Sequence, residues 1–411
     1  MRRQSDSVPE TLIPSFMMPR LNPIALTALL ALLTGIAPMS VDMYLASLPD
    51  IARNLAASDA QVQLTLSFYL VGFAIGQVIW GPISDRHGRR PIFLTAISVY
   101  IAASIVCTVA PSIEVLIAAR FVQAVGGAGM TVMARAVVRD VYEGLAVARE
   151  LSRMTAVMAL APLIAPLLGG VLQTFFGWRA NFVVLTAIGV SAALLVALRL
   201  PETLRSRAPE PVSFGSIFRS YRTFARDRTF LAYSGLLICA FGGLFAWISA
   251  SAFVLQNLYG LSAFDFGLAF AVGSVGYLAG TWIAAHIVAR VGPDRTLGLG
   301  CAVMAGGGTA GVLALMFGFT SATALVLPVA VFLAGLGLAL PQAQAGALLP
   351  FPERAGAASS LVGFLQQTAG AVVGAIVVHL LGQSAWPLAI GVALMGCGAL
   401  ALWVLTHEMR K

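Results

Sequence analysis

Apolar stretches about 20 residues long recur from Ile24 to Thr406, with only short polar breaks between them. This spacing constrains the chain more than any other feature. A helix rises about 1.5 Å per residue, so some 20 residues cross a hydrocarbon core of about 30 Å. Twelve spans can be placed, at about 24–48, 60–80, 91–109, 113–135, 154–175, 181–199, 230–254, 264–288, 297–317, 324–349, 358–381 and 387–406. A soluble fold is excluded by composition. Of the 411 residues 59% are hydrophobic and 10% charged, with a mean hydropathy of +0.90, which is more apolar surface than a water-exposed protein of this size hides. The chain reads as an all-α polytopic membrane protein with little soluble domain.

The loops fix an orientation. With the N-terminus in the cytoplasm, 22 of the 25 basic residues fall on the inner side; only Arg53 and Arg179 lie outside, and Arg120 lies within a span. Positive charge concentrates on the cytoplasmic side of membrane proteins, so both termini are placed inside. The basic residues are scattered through short loops, which argues against a nucleic-acid patch. Lys411 is the only lysine. A Walker A loop needs a lysine after its glycines, so energy for pumping must come from an ion gradient or a separate subunit. Cys107, Cys239, Cys301 and Cys397 all sit inside apolar spans and read as small packing residues rather than disulfides or zinc ligands. Arg2 and Arg3 are followed by Asp6, Pro9, Glu10 and Pro14, unlike a cleaved signal peptide; the first span is expected to stay as an anchor.

The organisation follows: a cytoplasmic segment (1–23), a six-helix bundle (24–199), a linker (200–229), a second six-helix bundle (230–406) and a short tail (407–411). In the linker, Phe214, Ile217, Phe218, Tyr221 and Phe224 recur at helical spacing with Arg219, Arg222 and Arg226 between them. That pattern suits a helix lying on the membrane surface; an ordinary basic linker is the alternative. The halves echo each other weakly. Arg86 and Gly88 recur 204 residues later as Arg290 and Gly292, and Trp178 is matched by Trp386. A six-plus-six helix repeat is a transporter architecture, with the binding site near the midplane between halves.

The loop "GPISDRHGRRP" (81–91) after span 2 carries Gly81, Asp85, Arg86, Gly88, Arg89 and Arg90, several charge-assisted partners at the inner surface. It resembles the signature of the major facilitator superfamily. The resemblance implies a cytoplasmic latch between the halves, in which Asp85 and Arg86 break and remake contacts while Arg89 and Arg90 set topology. In span 4, Arg120 and Gln123 fit the family's second signature, although Ala124 stands where the family has glycine; Gly126 and Gly127 follow. Arg135, Arg139 and Asp140, with "DMYLASLP" in span 1 and "PETL" at 201–204, resemble the Bcr/CflA-type drug:proton antiporters. "APLIAPLLGG" in span 5 resembles the antiporter signature, with Ala161 and Ala165 in place of its leading glycines. Pro162, Pro166, Gly169 and Gly170 there imply a bend and close packing, and by analogy export rather than uptake; a bent packing helix without directional meaning is the alternative.

Asp42 reads as the one acidic residue well inside an apolar span, in what looks like a continuous helix. Glu114 and Asp265 sit at helix starts, where negative charge suits the helix dipole. A carboxylate at mid-membrane costs about 2.5–3.5 kcal/mol on insertion scales, and such residues mark ion or proton paths. Helix rise puts Asp42 in the outer half of span 1, which leaves open a buried site or a wet rim. Arg120 enters its span from the same side, so the two are expected at comparable depth, as a proton switch in which Arg120 assists coupling. Relatives with a second carboxylate carry it two turns earlier; Thr34 stands there, so one titrating site is expected. Candidates for the substrate cavity are Leu66, Tyr69, Gln123, Trp247, Gln366 and Gln367. His87, His286 and His379 lack ligand spacing, so no metal is assigned, and no nucleophile–base pair marks an enzyme. The resulting expectation is proton-coupled efflux of small, largely apolar toxic compounds from the bacterial inner membrane by a monomer, with protons and a small molecule as partners and no cofactor beyond the proton gradient. Export of a native metabolite is the alternative, and a non-transporting receptor a more distant one.

Overall fold

A computed structural model of the chain describes residues 22–158, 160–204, 221–351 and 355–410. Every regular element among them is helical. Eleven helices are long and apolar enough to cross a membrane, and Ala161–Phe176 is a shorter apolar one. Spans 1 to 4 are Ile24–Asn54, Asp59–His87, Arg89–Val109 and Ile113–Val141. Span 5 combines Leu145–Met158 with Ala161–Phe176, and span 6 is Arg179–Arg199. Spans 7 to 12 are Arg228–Leu258, Ala263–Val291, Pro293–Met316, Ala322–Leu348, Ala357–Leu380 and Trp386–Leu405. Twelve crossings place both described ends on one side, called here the terminal face; the other side is the opposite face.

Spans 2 and 4 run past their expected ends at 80 and 135, to His87 and Val141, so the stretch 81–91 expected as a loop is helical except at Gly88; two further spans differ in course. Span 5 starts at Leu145 rather than near 154, because its terminal-face segment is an amphipathic helix. Arg149, Glu150 and Arg153 break up the apolar run there, yet Glu150 is buried, at 2% exposure, and bonds to Thr27 of span 1 and to Arg153. Asp42 is therefore not the only buried acid. Span 1 is also not continuous. Its α-helix ends at Asp42, a 3-10 turn follows over Leu45–Ser47, and a short helix runs Leu48–Asn54. Pro49 explains the break, since it has no N–H to return to Leu45 and so favours a tighter turn before it.

The repeat extends into the caps. Ser58 caps span 2 in a capping box with Gln61, and Ser262, 204 residues later, caps span 8 and bonds Asp265. Gly88 and Gly292 both end their helices at positive φ (102° and 85°), where only glycine is unstrained. The two six-span halves meet along span 2 with span 11 and span 5 with span 8. In the linker, Phe224 is fully buried against Phe230 and Phe351, with ring centroids at 5.7 and 4.5 Å, so this end of the amphipathic pattern packs on protein rather than lipid. The expected helix residues Phe214, Ile217 and Phe218, the segment before Asn22, and Lys411 lie outside the described residues.

Candidate functional site

On the terminal face the signature stretch, two helix ends joined at Gly88, is organised by Arg89. Its Nη1 donates to Ser84 Oγ (2.6 Å) and to Asp85 Oδ1 (2.5 Å), and its Nε donates to Asp140 Oδ2 (2.9 Å). Thr203 also donates to Asp140. Glu202 of "PETL" accepts the backbone N–H groups of Arg89 (2.8 Å) and Arg90 (3.2 Å), together with those of Thr203 and Leu204. The free N–H groups and positive dipole end of span 3 thus receive a carboxylate from the chain itself. A Cβ on Gly88 would come within 2.5 Å of Glu202, a second reason for glycine there. Arg90 donates to Ala197 O, and Arg86 is exposed without a partner among the described residues. The hub is therefore Arg89 rather than Arg86, and all of its partners belong to the first half. Arg89→Ala should cost about 1.5–3 kcal/mol, because it leaves charged groups unpaired, whereas Arg86→Ala should stay within about 0.5 kcal/mol. Thermal unfolding of the two purified variants in detergent checks this.

The halves are joined toward the opposite face. Gln256 Nε2 donates to Ala46 O (2.9 Å), Gln63 Nε2 to Ser249 Oγ (3.3 Å), and Ser67 Oγ to Ala371 O (3.0 Å). Near mid-span, Ser274 Oγ donates to Pro162 O (2.8 Å). That carbonyl is available because its helical partner four residues on is Pro166, which has no N–H. Gly169 lies directly on the backbone of Met43, and a Cβ on Gly170 would meet Ala263 O at 2.6 Å. The proline–glycine element thus sits between span 1 and span 8.

Asp42 lies where the first helix of span 1 ends. It is 5% exposed, and Met43 to Leu48 beyond it are all buried, which places it in the interior rather than on the rim. Its carboxylate makes no hydrogen bond or ion pair among the described residues and keeps a little accessible surface. The expected pairing with Arg120 is not formed. Arg120, at 0% exposure, donates from Nη1 to Gln123 Oε1 (2.5 Å), and its Nε and Nη2 have no hydrogen-bond partner. Its guanidinium instead lies 4.3 Å from the Tyr44 ring centroid, 4.2 Å from Tyr69 and 5.7 Å from Phe182.

A buried polar chain extends from this point. Gln123 Nε2 donates to Ser104 Oγ (2.8 Å), and Ser104 donates to Tyr100 O (2.7 Å). Ser40 Oγ donates to Ile36 O, so Tyr100 OH is the donor in its 2.6 Å bond with Ser40. By the same logic Tyr44 OH donates to Thr65 (2.8 Å), which itself donates to Val62 O, while Tyr69 OH donates to Ala37 O (3.1 Å). Sequence reasoning named Asp42, Arg120, Tyr69 and Gln123, and missed Ser40, Tyr44, Thr65, Tyr100 and Ser104. The alternation of polar residues at 40, 42 and 44 was the available signal for two of them. Thr34 is buried and bonds its own helix at Leu30 O. Of the other cavity candidates, Leu66, Trp247 and Gln366 are buried and Gln367 half-buried. Trp247 stacks on Phe270. No cluster of metal-ligating residues occurs among the described residues.

Two six-span halves, joined along two helix pairs, with an unpaired acid and arginine buried in the first of them, have the architecture of a membrane transporter. The chain belongs to the Major Facilitator Superfamily, whose model matches residues 30–375. It is 34% identical over 94% of its length to an uncharacterized MFS-type transporter, YdgK, of Bacillus subtilis, covering 96% of that protein. It is 33% identical over 93% of its length to a bicyclomycin resistance protein homolog of Haemophilus influenzae, again covering 96% of the relative. Among solved structures, a POT family transporter aligns with a TM-score of 0.73 at 15% identity, over 94% of this chain and 96% of that one, a likeness of fold alone.

Proposed function

We propose that this carrier is a proton-coupled exporter of small, largely apolar toxic compounds, antibiotics among them, in the inner membrane of a bacterium. The observation that carries this proposal is Asp42, a partnerless buried carboxylate set directly beside the seam. Met43, the next residue, bears on Gly169, and Ala46, four residues on, bonds the second half through Gln256. A change of charge on Asp42 therefore acts within one turn of the contacts that close the opposite face. The antibiotic named in the Haemophilus relative supports antibiotics among the substrates, and the apolar character rests on the buried apolar lining residues. Export as the direction rests on the proline–glycine element of span 5.

The charge rule makes the terminal face cytoplasmic, so the form described here is closed to the outside. A compound entering from the cytoplasm binds among apolar side chains, and its binding favours loss of the Asp42 proton to the cytoplasm. The charged acid is costly in the closed, dry seam, which favours opening to the outside. Release of the compound and uptake of an external proton then restore the closed form. The proton gradient supplies the energy, and no cofactor is needed. The test is expression in an efflux-deficient bacterium across an antibiotic panel, with proton movement followed in inverted vesicles. Resistance to several apolar compounds, each releasing protons on addition, is the expected result; absence of both would sink the proposal and favour a native metabolite.

A further inference from the structure

We infer that the ring faces of Tyr44 and Tyr69 hold Arg120 and keep its charge off Asp42, so that the acid can alternate between neutral and charged forms without a fixed counter-ion. The inference rests on the proton-switch role proposed for Asp42.

A buried arginine normally takes the nearest carboxylate, because an unpaired cation in the interior is expensive. Here a carboxylate and a guanidinium are buried in the same half, yet no ion pair joins them. What Arg120 has instead is aromatic. Its guanidinium carbon lies within 4.3 Å of two tyrosine ring centroids, and Phe182 adds a third ring at 5.7 Å. The ring quadrupole presents negative charge from its face, and the attraction is strongest where water is excluded. The rings are fully buried, and packing holds them in this pose. Tyr44 OH is tied to Thr65 and Tyr69 OH to Ala37 O, so the hydroxyls bond elsewhere and the faces are left for the guanidinium. Gln123, itself held by Ser104, takes Nη1. The two nitrogens left without hydrogen bonds, Nε and Nη2, are consistent with a cation held by π faces rather than by acceptors.

The titratable and charged groups around Asp42 are few. Span 4 contributes Arg120, span 2 Tyr69, span 3 Tyr100 and Cys107, and span 1 itself Tyr44. The Ala161–Phe176 segment of span 5 carries none. Span 6 presents Phe182, and its Arg179 is turned toward the Trp178 ring, 4.1 Å away, and toward Ala110 O. Among the described residues Arg120 is the one fully buried cation of the first half, and an ion pair between it and Asp42 would hold the carboxylate charged through the cycle. Tyr44 and Tyr69 are positioning residues that act on Asp42 through Arg120.

The test reads Asp42 directly. In full-length protein in lipid bilayers, the carbonyl stretch of the protonated acid is followed by infrared titration and identified as the band lost in Asp42→Asn. Tyr44→Phe and Tyr69→Phe keep the ring faces, and should leave the midpoint within about 0.3 pH unit of wild type. Tyr44→Leu and Tyr69→Leu remove a face each and free Arg120 to approach the acid. The midpoint should then move about one pH unit or more toward acid, the usual effect of a nearby opposite charge. In an Arg120→Gln background the leucine substitutions should no longer move it. Should a leucine variant fail to reach the membrane, Tyr44→Met or Tyr69→Met, which refills the volume with a flexible apolar chain, carries the same comparison. The inference is overturned by an unmoved midpoint in the ring-less variants, by an equal shift in the phenylalanine variants, by a shift that persists without Arg120, or by a wild-type acid that never protonates between about pH 4 and 9. Drug-linked proton release surviving in Asp42→Asn would instead remove the proton-switch proposal and leave the infrared result to judge the clamp.

Discussion

Asp42→Asn should abolish drug-linked proton release and uphill export, by at least about 100-fold, while the protein still reaches the membrane in wild-type amounts. The amide has the shape of the acid and cannot ionise, so the substitution isolates protonation from packing. Groups that transfer protons at a positioned site commonly contribute about 10²–10⁴-fold, and among the described residues Asp42 is the one buried carboxylate at the seam between halves, since Glu150 is engaged by Thr27 and Arg153 nearer the terminal face. Stability should stay level or rise, because a partnerless buried carboxylate at 5% exposure is replaced by a neutral group that costs less in the membrane. Loss of function with an unchanged or higher unfolding temperature separates a broken switch from a broken fold. The measurements are quenching of a pH-sensitive dye in inverted vesicles on addition of drug, and thermal unfolding of the purified variant. Wild-type export by Asp42→Asn would remove the physical basis of proton coupling through this residue.

The periodicity of apolar runs carries the fold in the sequence, because spanning a bilayer leaves few ways to satisfy the backbone other than by helices. It fails where polarity and helix coexist. The terminal-face part of span 5 holds Arg149, Glu150 and Arg153 on one amphipathic helix, so its charge density reads as a loop until burial against span 1 is known. The break in span 1 is similarly local. Pro49 announces it, but the long apolar run masks it. At the site, single residues with an unusual cost were legible: Asp42 and Arg120 stand out because a charge inside a span needs a reason. Their relation was not. Whether two buried charges pair depends on what else reaches them, and here aromatic faces from spans 1 and 2 hold Arg120 away from the acid. Tyrosines in apolar helices look like packing, and only the distances reveal two of them closing on one guanidinium. The signature stretch shows the same limit. Its residues mark the family, but backbone N–H groups, which no sequence displays, are what Glu202 binds, and Arg89 rather than Arg86 forms the hub.

Adjacent glycines in span 5 should fail in different ways. Gly169 lies on the Met43 backbone within the first half, one residue from Asp42, whereas Gly170 faces Ala263 and Phe264 of the second half. In both places a Cβ meets main chain, which cannot swing aside as a side-chain end could, so the helices themselves must part. For Gly169→Ala the conflict lies inside one half and persists in every state of the cycle. Overpacking of this kind costs about 1–3 kcal/mol, so the unfolding temperature should fall and transport should weaken with it as the Asp42 segment is displaced. For Gly170→Ala the conflict exists only while the halves meet on the opposite face. Stability of each half should change little, and the balance should move away from the closed form. A penalty of about 1.4 kcal/mol on one state shifts a two-state population about tenfold. A cysteine placed at Gln256, which in the closed form bonds Ala46, reports that balance through its rate of labelling from outside the cell. Labelling should quicken about tenfold with Gly170→Ala added, measured against the same reporter in an otherwise unaltered chain. Equal loss of stability in the two alanine variants, or unaltered labelling in the second, would show that the proline–glycine element packs helices without controlling access.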